Sequence, residues 1–187
     1  MHSRAAILIV ALAFGALSGV AAYERVGQHG VAALGNKAAW REIIWPFPRD
    51  GWPVGRAFHC DAAACGAEVE LYVRPKIGFC NCDTGVADDD EVDRVADLDL
   101  MSQRFVPLAA GNVIKVAGLT GRSRGYDLRM ADGSRRTAIG FALSRRCDLM
   151  VAVVQGSGSA PAVQQLAEDF LNSEPMVHWM MSELAND

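Results

Sequence analysis

Hydrophobic positions change their period several times along this chain, and each change marks an element. Ala5–Ala22 carries no charge and has Ile7, Leu8, Ile9, Val10, Leu12, Phe14 and Leu17 at its centre. A short basic start with Arg4 precedes it, and small residues, Val20-Ala21-Ala22, close it. That is the layout of an export signal. An uncleaved signal anchor shares it, because eighteen uncharged residues sit at the lower edge of what spans a bilayer. Both readings place residues 23–187 on the non-cytoplasmic side, facing the periplasm, with one crossing at most.

Residues 23–53 read as a lead-in arm. The apolar spacing of Leu34, Ala38, Trp40, Ile43 and Ile44 predicts a short helix over Ala32–Ile44, which three prolines between Trp45 and Pro53 then end. Trp40, Trp45 and Trp52 fall within thirteen positions. They serve either as a partner-docking arm or as rings packed across the domain's own surface.

From Val54 onward the period of two dominates. Val54–Cys60 and Ala67–Arg74 predict two strands, the second alternating Val69, Leu71 and Val73 with polar neighbours and ending at Pro75. Asp88–Arg104 predicts a helix, with Asp88 and Glu91 as its capping box and Val92, Val95 and Leu98 as its buried stripe. Four strands follow, over Asn112–Leu119, Gly125–Met130, Arg135–Ser144 and Asp148–Gln155. The glycines of 118–125 read as a hairpin loop, and Leu149–Val154, continuously apolar, as the most buried strand. Ser159–Asn172 has Val163, Leu166, Ala167, Phe170 and Leu171 on one helical face, and Pro175 opens a last short helix. Consecutive strands with short links and segregated helices define the α+β class: an antiparallel sheet with C-terminal helices packed on it, over residues 54–187, preceded by the apolar export or anchor helix at 1–22. The strand-then-helix stretch 147–173 is faintly similar to the end of small αβα-sandwich proteins of the PsbP type, without a diagnostic motif.

Composition narrows the function classes. Charged residues make up 21% and the net charge is −4, which argues against a nucleic-acid binder and against a disordered chain. The five cysteines, Cys60, Cys65, Cys80, Cys82 and Cys147, belong to an exported chain and so read first as disulfide staples. Cys60, Cys65, Cys80 and Cys82 are the disulfide candidates, the favoured bridge joining the Cys60/Cys65 neighbourhood to the Cys80/Cys82 loop. Cys147 shares the alternation of Leu149, Val151 and Val153, so it is the candidate free thiol, buried at the start of the core strand. The alternative chemistry is a copper or zinc site of His59, Cys60, Cys65, Cys80 and Cys82, a soft-ligand set without the usual zinc spacing. In Met176–Met181, His178 lies on a different helical face from Met180 and Met181, which suits core methionines better than a copper cluster.

Charge is segregated. Residues 83–99 hold eight acidic residues against Arg94, and residues 115–146 hold eight basic ones against Asp127 and Asp132. The two runs either face each other or serve for docking, to a charged protein or to anionic head groups. Partner-docking candidates are therefore Trp40, Trp45, Trp52, Arg122, Arg124, Arg135 and Arg136. No nucleophile elbow, phosphate loop or metalloprotease motif is present, and Arg122, Arg124, Tyr126 and Asp127 are the polar groups that would have to converge for catalysis. The expectation is an extracytoplasmic, membrane-tethered binding or accessory protein acting through protein–protein contacts, without a cofactor, as an accessory subunit of a membrane complex rather than an enzyme.

Overall fold

The computed structural model describes residues 39–78 and 82–185, and the apolar run at Leu149–Val154 lies at its centre. β8 (Asp148–Gly156) is buried along its whole length. It runs between β3 (Val69–Lys76) and β7 (Arg135–Arg145), antiparallel to both. A strand with neighbours on both sides and cover on both faces meets no water, so its sequence is continuously apolar rather than alternating.

Beyond β3 lie β2 (Arg56–Cys60) and β1 (Arg41–Ile43). Beyond β7 lies β6 (Leu119–Arg129), and past it two short strands share the final position. β4 (Phe105–Pro107) pairs with one end of β6 and β5 (Asn112–Val116) with the other. The sheet is antiparallel throughout, as the short links require.

Alternation divides the side chains between two faces. Leu71, Phe141, Leu143, Met150 and Val154 meet α4 (Ala160–Leu171) and α5 (Glu174–Glu183), which contribute Val163, Ala167, Leu171, Met176 and Met180. Tyr126, Leu128, Ala142, Leu149 and Val151 meet α2 (Asp89–Val95) and α3 (Leu98–Met101), which contribute Val92, Val95 and Leu98. Each large apolar side chain so buried contributes roughly 1.5–3 kcal/mol.

Four local readings change. The helix expected over Asp88–Arg104 is two helices, broken where Asp97 takes a left-handed φ of 59°. Its start is as read: Asp88 accepts from the Glu91 N–H and Glu91 accepts from Ala87 N–H. Of the helix expected over Ala32–Ile44, residues 32–38 lie outside the described residues, and Arg41–Ile43 is a strand whose register on β2 pairs Ile43 with Ala57. β3 continues through Pro75, beyond Val73, the last β3 residue paired with β2, so the strand there has a neighbour on one side only. β6 runs through the glycines of 121–125, and the turn before it is only Ala117-Gly118.

The arm folds back onto the α2 face over β3. Trp45 and Phe47 pack edge-on against Tyr72, and Trp52 lies over the Lys76 ammonium. Beneath them Arg74 is 2% exposed, held by Asp50 at 2.7 Å and Asp97 at 2.6 Å, while Lys76 reaches Asp97 at 2.7 Å and Val95 O at 2.9 Å. Burial alone would lower the Arg74 pKa, but its hydrogen bonds to Asp97 and Asp50 outweigh that and raise it. The same guanidinium holds the Asp50 carboxyl at about 2. Asp97 therefore breaks the helix and receives both buried cations, one residue serving both ends.

Two disulfides staple this frame. Cys60–Cys65 closes a loop capped by Asp61, with α1 (Ala62–Cys65) between. Cys82–Cys147 ties the segment after β3 to the β7–β8 hairpin, across 65 positions. Cys147 is thus not the free thiol. It sits in the two-residue turn between Arg145 and Asp148, half-buried, where the alternation of β8 no longer governs its direction. The favoured bridge from the Cys60/Cys65 pair to the Cys82 loop is likewise replaced, because Cys60 and Cys65 close on each other. Cys80 lies outside the described residues, as do residues 1–38 with the expected apolar helix.

Candidate functional site

The interrupted edge of the sheet is where the chain's charged and small residues converge. Between β4 and β5, residues 108–111 leave the sheet, and the ion pairs of α2 and β6 hold them. Alternation along β6 sends Arg122, Arg124 and Tyr126 to the α2 face. Asp89 Oδ1 accepts from Arg122 Nη2 at 2.6 Å, and Asp89 Oδ2 accepts from Gly111 N–H at 2.8 Å. Arg124 Nη1 reaches Asp93 Oδ2 at 2.8 Å while its Nε donates to Ala109 O at 3.1 Å. Tyr126 donates its hydroxyl to Asp93. Burial and that acceptor push the Tyr126 pKa up, and the Gly111 N–H and Arg122 pull the Asp89 pKa down. A Cβ on Gly111 would come within 2.5 Å of Asp89 Oδ1 and 2.7 Å of Ser123 O, so only glycine permits this approach.

The acidic and basic runs of the sequence therefore face each other here. Three of the four groups that catalysis would need converge, but each is engaged in holding the loop. Asp127 points to the opposite face and pairs with Arg135.

On that opposite face the held loop forms one wall of a cleft of about 430 Å³. Leu108 and Ala109 line the wall, Gly125 and Ile139 the floor, and Ala160 and Gln164 of α4 the other side. Gln164 is fixed by Nε2 donating to Ser123 Oγ at 3.2 Å and Glu168 Oε1 at 2.7 Å. Asn112 and Gln165 add amides at the rim. Exposed apolar side chains continue past the cleft: Leu108 in its wall is 54% exposed and Val106, opposite Asp127 on the same face, 63%, whereas Val113, opposite Arg122, belongs to the α2 face. A second hollow, about 490 Å³, lies at the end of the sheet between Asp99–Arg104 and Arg129–Ala131.

The other sequence candidates are dispersed. Trp40 stacks on Phe170 at 4.8 Å and Trp45 packs on Tyr72, so both are engaged by the chain itself, whereas Trp52 remains 38% exposed. Arg136 is exposed at the start of β7. The proposed thiolate set is not assembled, since Cys60, Cys65 and Cys82 are all in disulfides, and no group of three or more potential metal ligands occurs among the described residues. His59 lies 4.0 Å from Glu70, which also accepts from Tyr72 and Gln155. Gln155 Oε1 is the buried side-chain polar atom left without a partner among the described residues. No described helix is long and apolar enough to cross a membrane. The cleft itself escaped sequence reading, although Ala109-Ala110-Gly111 after Pro107 carried a signal, a run of small residues after a strand-ending proline.

No family model matches the chain, and no curated protein matches it. Among solved structures it is similar to a protein of unknown function from Pseudomonas aeruginosa, with a TM-score of 0.44 and 14% identity over 67% of this chain and 86% of that one.

Proposed function

We propose that this chain is an extracytoplasmic binding protein, tethered to the membrane through residues 5–22, that docks a protein partner as an accessory subunit of a membrane complex. The observation that carries the reading is the exposed apolar pair Val106 and Leu108 at the cleft, on a frame rigidified by two disulfides. Exposed apolar side chains grouped in this way mark interaction sites. The Asn112 amide and the side-chain oxygens of Gln164 and Gln165, whose Nε2 groups already donate within the chain, line the cleft, which suits the N–H groups of a peptide backbone. The disulfides favour an oxidising compartment, in keeping with the apolar leader.

A photo-crosslinking residue placed at Val106 or Leu108 in the native membrane tests this. One discrete adduct is expected from either position and none from exposed Arg49. Recovery of the chain as a lone monomer after gentle extraction, with no adduct, would overturn the reading.

A further inference from the structure

Three glycines interrupt the long strands β6 and β7, and packing explains two of them. A Cβ on Gly121 would come within 2.0 Å of Ala142 O, and one on Gly140 within 2.9 Å of Ala96 Cβ. Gly125 is different. A Cβ there would meet Ile139, Leu108 and Ala160 no closer than 3.5 Å, an ordinary contact, and its backbone is not left-handed. Neither crowding nor conformation calls for glycine, and glycine inside a strand weakens it. What it supplies is open floor beneath the cleft.

Four residues further along β6, about 13 Å away, Arg129 lies on the same face. It stands directly opposite Arg135 of β7, and its N–H donates at 2.9 Å to the carbonyl of Arg104 on the other side. Three arginines thus form one cross-strand row. Like charges placed opposite one another are unfavourable; Asp127 on the same face pairs with Arg135 and also attracts Arg129, and no carboxylate of a described residue lies within 4.0 Å of Arg104 or Arg129. Exposed Val106 bridges the row and the cleft.

The geometry points to an acidic peptide segment as the occupant of this face, with a small apolar side chain over Gly125 and carboxylates on Arg104 and Arg129. An extended chain covers the same 13 Å in about four residues, so the acidic and apolar positions stand about four apart. Charge complementarity selects an acidic segment, and the rim amides select a peptide over an acyl chain. This inference rests on the proposed docking of a protein partner.

The test uses the full chain in mild detergent and a labelled heptapeptide with acidic residues at one end and Ala-Val at the other, followed by fluorescence anisotropy. The acidic peptide should bind about tenfold more tightly than its Asn/Gln counterpart. Gly125→Val should weaken it about tenfold by filling the floor, and the pair Arg104→Gln and Arg129→Gln should weaken it and flatten its salt dependence. Gly125→Ala, which fits without crowding, keeps the result readable if the valine variant misfolds, and a smaller loss is expected from it. Equal binding of the neutral peptide, or indifference to the Gly125 variants, overturns the proposal. So does the pattern in which these variants weaken binding to phosphatidylglycerol vesicles while the peptide does not bind, which would assign the face to lipid. Adducts from Val106 or Leu108 with a partner that lacks an acidic segment would overturn this inference and leave the docking reading intact. Specific peptide binding without adducts would do the reverse.

Discussion

Gly125 and Gly140 lack a Cβ alike in neighbouring strands, yet their surroundings oppose one another. The space over Gly140 is filled by Ala96 and the Tyr126 ring, at 2.9 and 3.3 Å from where a Cβ would sit. Gly140→Ala is therefore expected to cost about 1–3 kcal/mol through overpacking. Gly125→Ala meets only ordinary contacts and restricts the unfolded chain, so its stability should be unchanged or raised by up to about 1 kcal/mol. Urea unfolding of the two variants checks the pair, and equal losses would mean that the cleft floor is not open. The sequence shows both glycines in the same alternating context, and nothing local distinguishes them.

At the scale of elements, the two disulfides differ in how much of the chain they close. Cys60–Cys65 spans five positions and Cys82–Cys147 spans 65. Loop-closure entropy assigns about 2 kcal/mol to the short loop and about 4 kcal/mol to the long one. The double variant Cys82→Ser/Cys147→Ser should accordingly lose about twice the stability of Cys60→Ser/Cys65→Ser in denaturant unfolding. A larger loss from the short pair would mean that α1 and its Asp61 cap matter more than chain closure. The elements themselves were largely legible: β7, β8 and α4 begin and end within about two residues of their patterns, because alternation and helical stripes are local signals. β1 was not legible, since its residues become a strand only by pairing with β2.

At the scale of the whole molecule, two ion-paired carboxylates stay charged below their usual range. Asp50 is lowered from 3.8 to about 2 by the Arg74 guanidinium, and Asp89 is lowered by the Gly111 N–H and Arg122. A carboxylate depressed in the folded state contributes stability that is complete above its unfolded pKa and lost as pH falls through its folded one. The melting temperature should therefore fall between pH about 4 and pH about 2. Asp50→Asn should be less stable at neutral pH but show a smaller fall across that window. Parallel curves for the two proteins would mean that Asp50 is not among the groups responsible.

The antiparallel sheet, the buried central strand, the Asp88 cap and the C-terminal helices were all legible in the chain, because each follows from neighbours a few positions apart. The sequence also separates the acidic from the basic run. Tertiary structure alone decided that the two runs meet, Asp89 and Asp93 against Arg122 and Arg124, instead of facing solvent. It alone paired Cys82 with Cys147, for a bond between them needs the β7–β8 turn and the segment after β3 to arrive side by side. And it alone opened the cleft over Gly125, since whether a glycine is crowded or free depends on side chains brought in from other strands and from α4.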